Sequence, residues 1–460
     1  MAKNIDKKLK LTFCSGVDTV TGANFLLEEE ETKTKILIDC GLIQGETSAE
    51  EDNKKNFSYD PSTIEALFVT HAHLDHIGRI PRLIDAGFKG RIYSTPPTKD
   101  LTRFMIEDAA HLLAHGQNVK EIERIYSEAN INKMMSMWDT IPYHHPFVIK
   151  DFGINFKNSG HILGSALVEI TYQGKKIVFT GDLGNSPSPI LPDCEEITDA
   201  TYLIMESVYG DRNHESRDDR RAMLEDVIED NSKRHGTLMI PTFSLERTQE
   251  LLYEIDTLMG KGRIPLVPVF LDSPLAIKLT EVYQKYGEYF NTEAARLVHS
   301  GQDIFSFPGL RQTPDVEQSK MILRMPNPKI IIAGSGMSSG GRIIHHEHNY
   351  LPDPNNTILL TGYQSAGTLG RYIQDGAKII KIAGEDVPVK AKVAMISGYS
   401  GHKDSEALLK FVEVMEDSVK QIFTVMGEPK SSLFLVQKIR DNLGLQANAP
   451  EKGQSVWLEF

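Results

Sequence analysis

Cysteine is scarce in this chain, with three in 460 residues, at Cys14, Cys40 and Cys194. That number and spacing exclude a disulfide scaffold and a cysteine-built zinc site, so any metal must be held by histidine and carboxylate. Long apolar runs are missing too: none reaches the roughly 18–20 residues that a membrane span requires. The opening "MAKNIDKKLKLTF" lacks the apolar segment of a secretory signal, and a cytoplasmic protein with no membrane role is expected. Positive charge is in deficit, since 50 Lys and Arg against 63 Asp and Glu leave a formal net charge of −13. This argues against a generally basic nucleic-acid coat but leaves room for a local basic groove. No repeat, low-complexity tract or long linker interrupts the sequence.

Apolar material is plentiful: 40% of the residues are hydrophobic and 25% charged, the balance of a globular chain of two or three domains. Short β-branched runs such as "KILIDC", "ALFVT", "KIVFT", "YLIME", "TLMIP", "KIIIAG" and "TILLTG" end in polar or glycine-rich turns, and several lead into helical patterns such as "RTQELLYEIDTLM". That alternation predicts an α/β protein with largely buried sheets. From about Thr98 to Trp138 the chain is rich in Glu, Lys, Ala and Met and has no proline, which predicts one or two amphipathic helices outside the core.

Chemistry concentrates in "FVTHAHLDHIGRIPRLI", Phe68 to Ile84. The strand "ALFVT" ends there, and the carboxyl ends of strands are where α/β sheets place their sites. His71 and His73, two apart in an extended segment, can point the same way. Asp75 and His76 open the helical pattern that follows. Imidazole and carboxylate are the ligands zinc accepts when thiolate is absent, and this density suggests two metals rather than one. The alternative is a polar turn with a helix-capping Asp75 and incidental histidines. Further ligands must come from other strand ends: His161 in "NSGHILGSALVEI" and Asp182 in "KKIVFTGDLGN" have that context. Asp39, in "ILIDCGL", suits the orientation of a ligand histidine.

With these residues in place the sequence resembles the metallo-β-lactamase-fold hydrolases, on Asp39, "THAHLDH", "SGHILGSA" and "FTGDLGN". It resembles more narrowly the β-CASP nucleases, a group that includes bacterial RNase J, archaeal RNases and the endonuclease subunit of the pre-mRNA 3′-end cleavage factor. "MESVYGDRNH" is similar to that group's motif A, with Glu206, and "ISGYSGHKD" to its motif B, with His402. "PTFSLERTQELL", "VFLDSPLAIKLTEVY", "GSGMSSGGRIIHH" and "GYQSAGTLGR" extend the likeness along most of the chain. The resemblance implies an αββα metallo-β-lactamase sandwich from residues 1–206 and 391–460, interrupted by an α/β β-CASP domain at 207–390, with no room for extra RNA-binding domains. It also implies zinc at two sites: His71, His73 and His161 hold one ion, Asp75 and His76 the other, and Asp182 bridges them. Metal-activated hydroxide would then attack phosphorus, with His402 as proton donor paired to Glu206, and Asp75 counted among the catalytic groups. Without such a pairing Glu206 would be a strand-end carboxylate beside Arg212. The implied substrate is single-stranded RNA, cleaved internally with 5′–3′ exonuclease action as an accompanying mode, and a homodimer is the implied assembly.

A polyanion on an acidic protein needs a cradle. The loops "GSGMSSGGR" and "GYQSAGTLGR" suggest one, from Ser335, Gly336, Ser338, Arg342, Ser365, Thr368 and Arg371, with Arg247 and Lys278 as further contacts; a tight turn or a solvated face is the plainer reading of each. His345 and His346 are read as structural or as orienting a residue of the site. Two other functions stay open: a β-lactamase or small-ester hydrolase on the same metal core, and a weakly active RNA-binding paralogue. The latter draws on one departure from the family. Motif C usually carries a histidine that completes the second metal site, and here "IFTVMGEPKSS" places Met426 there. A neutral thioether is a poor zinc ligand, so the second site is expected to be the weaker one, with water, His402 or Glu428 filling the gap, unless Met426 simply fills the core.

Overall fold

A computed structural model describes residues 8–44, 49–113, 119–214, 217–362, 364–365 and 367–459. The chain divides into two compact units. The first comprises Met1–Ser186, Asp193–Asn213 and His402–Phe460, and the second Pro187–Pro192 and His214–Gly401.

The first unit is built on two seven-stranded sheets. One runs Ser455–Glu459, Lys8–Ser15, Asn24–Glu29, Lys35–Ile38, Ile64–Phe68, Arg91–Ser94, Trp138–Thr140, and the other Ala447–Asn448, Gln421–Val425, Tyr202–Glu206, Lys175–Phe179, Ala166–Tyr172, Phe152–Asn158, Phe147–Ile149. Strands Lys8–Ser15 and Phe152–Asn158 alternate buried with less buried residues along their length, as a period of two requires. The buried faces meet in one apolar core. Aromatic contacts cross it between the sheets: Phe25 lies 6.0 Å from Phe179, Phe13 5.2 Å from Phe423 and Phe68 6.5 Å from Phe156. On the second sheet's other face, Leu167, Val178, Leu203 and Ile422 pack with helices Ser405–Glu413 and Pro429–Leu443. In the first sheet Leu37 and Leu67, between residues of the shared core, are themselves fully buried, so that sheet is covered on both faces as well. The layering is α/β/β/α.

The second unit holds a six-stranded sheet in the order Leu310–Gln312, Val269–Leu271, Lys329–Ala333, Thr237–Pro241, Thr357–Leu360, Lys392–Met395. Every pairing in it is parallel. Strands Thr237–Pro241, Lys329–Ala333 and Thr357–Leu360 are buried at every position, which is why they read as unbroken apolar runs. Separate apolar clusters cover the two faces, with helices Arg217–Lys233, Arg247–Gly260 and Pro274–Lys285 contributing to one and Ile343–Tyr350 and Leu369–Gln374 to the other.

Two sequence expectations need correction. Among the described residues the stretch from Thr98 to Trp138 holds the helical segments Pro96–Leu113, Val119–Ile125 and Glu128–Ser136, and Trp138 begins a strand; residues 114–118 lie outside the described residues. The last helix starts anew because the Ser127 side chain caps it, accepting from the Asn130 N–H. These segments do not stand away from the core: Leu101, Ile106, Ile131 and Met134 are buried. Likewise "HIGRIPRLI" is not one helix but two short ones, Leu74–Ile77 and Ile80–Asp85. Pro81 has no N–H to donate, so it fits the first turn of the second helix, where that donor would find no partner within the helix.

Candidate metal centre

The strand Ile64–Phe68 ends just before the histidine-rich turn, and its parallel neighbours Lys35–Ile38 and Arg91–Ser94 hold it in register. His73 caps the short helix Leu74–Ile77, which carries Asp75 and His76. His161 comes from the turn before Ala166–Tyr172, and Asp182 follows Lys175–Phe179. Strand ends from both sheets thus deliver these six side chains to one place.

They form two donor sets sharing Asp182. In the first, His71 Nε2 lies 3.1 Å from His73 Nδ1 and 3.3 Å from Asp182 Oδ2; His161 Nε2 lies 3.2 Å from His73 Nδ1 and 3.4 Å from the same oxygen. In the second, His76 Nε2 lies 3.3 Å from Asp182 Oδ1 and 3.8 Å from Asp75 Oδ2. Asp182 turns one oxygen to each set. His71 and His76 are fully buried, and His161 and Asp182 are nearly so.

Whether a cation fits can be judged from the atoms themselves. A tetrahedral ion with bonds of about 2.0–2.1 Å needs donor–donor edges of about 3.3 Å, and the four distances given above for the first set lie near that length. His76 Nε2 and Asp182 Oδ1 are buried with no hydrogen-bond partner, a costly arrangement that a cation between them would relieve. Burial, with neighbouring imidazoles adding to it, holds His73 and His161 well below the usual histidine range, neutral and ready to donate a lone pair. Burial also opposes charge on His76, yet Asp182 and Asp39 outweigh it and its pKa stands well above that range: the carboxylates that attract a proton there would attract a metal ion. Asp182 is ionised despite burial because His76 and His71 face it, whereas burial raises Asp75.

Asp39 lies behind the centre. Its Oδ2 is 2.7 Å from His76 Nδ1, and it accepts from the Thr70 N–H and hydroxyl, each at 2.8 Å. The Thr70 hydroxyl also sits 3.0 Å from His71 Nδ1. That leaves the Nε2 atoms of both rings for the centre. Thr70 was not singled out in the sequence; its place directly before "HAHLDH" was the available signal.

His402 lies beside the first set, its ring centroid 4.7 Å from that of His161. Its Nδ1 is 3.1 Å from both Glu206 oxygens. Glu206 is fully buried and also accepts from the Leu183 N–H at 2.6 Å. Burial works against an imidazolium at His402, but Glu206 and then Asp182 outweigh it and lift its pKa to about 9. Arg212, the other partner considered for Glu206, bonds Asp211 instead. Met426 directly follows the strand Gln421–Val425. It is 2% exposed, packed in the inter-sheet core, with its N–H donated to Gly16 O at 2.8 Å.

In the second unit Arg342 Nη1 bonds Asp272 Oδ1 at 2.7 Å and Thr313 O at 2.6 Å. Arg247 is buried against Glu250, and the buried Ser338 hydroxyl donates to Glu347. The reason is common to all three, since a buried carboxylate must be given donors. Asp272 is the extreme case, fully buried and receiving also Thr313, Ser319 and His346. His346 thus bonds a buried carboxylate, while His345 and Lys278 are exposed. The Ser335 hydroxyl accepts from the Ser339 N–H, Thr368 caps its helix, and Arg371 pairs with Asp375 at 2.9 Å. Gln364 ties the second loop to the first through Gly336 O, close against which Phe243 packs; Tyr363 and Ala366 of that loop lie outside the described residues.

Comparison with known proteins agrees with this geometry. The chain matches the Metallo-beta-lactamase superfamily over residues 18–230, the Beta-Casp domain over 248–373 and the Zn-dependent metallo-hydrolase RNA specificity domain over 386–450. It is 34% identical to a ribonuclease of Thermus thermophilus over 402 residues, 87% of this chain and 89% of that protein. It is 31% identical to an RNase J-like protein of Methanocaldococcus jannaschii, covering 93% of this chain and 95% of the relative. With the transcription termination factor FttA of Methanosarcina mazei it shares 31% identity over 96% of this chain and 71% of that protein. A crystal structure of a protein of unknown function from Enterococcus faecalis has the same fold, with a TM-score of 0.58 at 14% identity, covering 98% of this chain and all of that one. No helix among the described residues is long and apolar enough to cross a membrane. The chain belongs to the β-CASP ribonuclease family within the metallo-β-lactamase superfamily and is a metal-dependent hydrolase.

Proposed function

We propose that this protein is a zinc ribonuclease that cleaves single-stranded RNA internally, with 5′–3′ exonuclease action as an accompanying mode, working in the cytoplasm as a homodimer. The observation that carries the reading is the pair of donor sets joined by Asp182 with the His402–Glu206 pair beside them. Histidine nitrogen and carboxylate oxygen without thiolate suit zinc. Divalent cations bound there supply Lewis acidity, making water acidic enough to act as a nucleophile near neutral pH and offsetting the charge of a phosphodiester.

The remaining work falls to the chain. His71, His73 and His161 would hold one cation and Asp75 and His76 another, with one oxygen of Asp182 facing each set. Asp39 and Thr70 fix the rings of His76 and His71. His402, whose pKa Glu206 raises against burial, is placed to give its proton to the departing ribose oxygen, and Glu206 holds the ring in place for that transfer. Ser335, Gly336, Ser365, Thr368 and Arg371 remain the proposed phosphate contacts. A small amide substrate would leave the His402–Glu206 pair idle, which favours RNA over a β-lactam.

Zinc-loaded protein assayed on 5′-monophosphorylated RNA, 5′-triphosphorylated RNA, single-stranded DNA and a chromogenic cephalosporin tests the reading. RNA cleavage is expected; turnover of the cephalosporin with RNA untouched would overturn it. Light scattering at micromolar concentration should give the dimer mass.

A further inference from the structure

Two glycines press against the backbone that carries metal-centre residues, and neither adopts the left-handed backbone conformation that usually calls for glycine. Their requirement is steric. A Cβ at Gly41 would fall 1.5 Å from Asp75 O and 2.1 Å from Asp75 C. A Cβ at Gly184 would fall 1.9 Å from Gly160 O and 2.6 Å from His161 N. In each case the obstacle is backbone, which cannot swing aside as a flexible side chain can.

Hydrogen bonds make each approach a lock. Around Gly41, the Cys40 N–H donates to His76 O at 2.8 Å, the Leu42 N–H to Leu74 O at 2.9 Å and the Ala23 N–H to Asp75 O at 2.8 Å. Gly41 itself donates to Ala23 O at 2.9 Å, closing a three-segment contact beneath Asp75 and His76. Around Gly184, its N–H donates to Ser159 O at 2.8 Å and it forms an antiparallel bridge with His402. The Lys403 N–H donates to Leu183 O at 2.9 Å, so this strip binds the His161 turn to the segment carrying the proton donor.

We propose that Gly41 and Gly184 are separate positioning residues, Gly41 setting Asp75 and His76 of the second donor set, and Gly184 setting His161 of the first together with His402. The proposal rests on the two-cation reading of the centre. It also accounts for a second set with Met426 where the family usually has a ligand: the backbone lock keeps Asp75 and His76 in place where a fourth side chain would otherwise hold them. The lock reaches Met426 itself, since Gly16, which accepts the Met426 N–H, sits so close to Ala23 that a Cβ there would lie 2.8 Å from Ala23 Cα.

The test is a crossed one. Gly41→Ala and Gly184→Ala are titrated with cobalt(II), counting ions per chain by native mass spectrometry and recording visible spectra, with Asp75→Ala and His161→Ala as references for loss of each set. The full chain is expected to take two ions at saturating cobalt. Gly41→Ala should weaken one equivalent by about ten- to a hundredfold, the range for groups that orient ligands, and give the Asp75→Ala spectrum. Gly184→Ala should instead give the His161→Ala spectrum. Equal loss of both equivalents in both variants, or no loss in either, overturns the proposal, whereas an unsubstituted chain that holds fewer than two ions overturns the two-cation reading beneath it. Should a variant fail to fold, hydrogen exchange on the unsubstituted chain carries the same question. Protection at Ala23, Cys40 and Gly41 should rise with one equivalent and at Gly184 and Lys403 with the other, and simultaneous protection of both groups overturns the separation.

Discussion

Two regions gather the same ingredients and use them in opposite ways. Around Asp182 three imidazoles face a buried carboxylate across 3.3–3.4 Å, and Oδ1 of that carboxylate accepts no hydrogen bond. Around Asp272 an imidazole, a guanidinium and two hydroxyls donate to a buried carboxylate at 2.6–2.7 Å. Those donors hold Asp272 down to about 2 against its burial. A buried acid whose oxygens are already met by donors is a structural knot. One left facing lone pairs and an unmatched ring nitrogen is a place for a cation.

The sharpest way to break the comparison is to take away the unmatched acid. Asp182→Asn should abolish the shared ligand and lower cleavage by about a thousandfold or more, because cation stabilisation of the reacting phosphate is worth several kcal/mol. Metal analysis should show both equivalents weakened while the melting temperature of the metal-free chain holds or rises.

Next in size is His402→Ala, expected to lower kcat by about a hundred- to ten-thousandfold with metal content kept. In the parent, activity should fall as pH rises through the His402 pKa, about 9 without metal and lower once cations sit nearby. The variant should lose that alkaline limb. Equal loss of metal would make His402 a ligand instead.

Asp272→Ala reverses the pattern. Removing one partner of a buried ion pair costs about 3–5 kcal/mol, so denaturant unfolding should show a large loss of stability while the metal count stays at the parent value.

Glu347 gives a pH-dependent version of the same contrast. Burial lifts its carboxyl to about 7, against a smaller pull from Ser338. The folded value lies above the unfolded one of about 4.3, so its stabilising contribution is complete below roughly pH 4 and lost as pH rises through about 7. Glu347→Gln should therefore melt above the parent at pH 8, by about 1–3 kcal/mol in stability, with the gap closing near pH 4.

The smallest effect is expected from Met426→His. Met426 has a left-handed φ of 48°, which histidine tolerates better than most residues, and the new imidazole should tighten the second equivalent by about tenfold with a parallel gain in rate. If calorimetry finds neither change, the motif register is wrong.

How legible each part was follows from distance along the chain. His71, His73, Asp75 and His76 stand within six residues, so their convergence needs only a strand end. His161 and Asp182 were readable by context, as polar residues at strand ends. The Glu206–His402 pair spans 196 positions and was named through family resemblance alone. Arg342 and Ser338 could not be placed from sequence because a glycine- and serine-rich loop looks the same whether its side chains face a ligand or a buried acid, and Arg247, at the start of a helix, reads alike as a solvated face or as the partner of a buried acid.

Sequence alone therefore carried the alternation of strands and helices and the local cluster of metal-type ligands, because hydrophobic period and ligand density are properties of neighbouring residues. It could not settle which acid lacks donors, that Thr70 and Asp39 orient His71 and His76, or that Gly41 and Gly184 press against Asp75 and His161. Those depend on segments tens or hundreds of residues apart brought within van der Waals reach, and only packing of the folded chain determines whether a buried polar atom finds a partner.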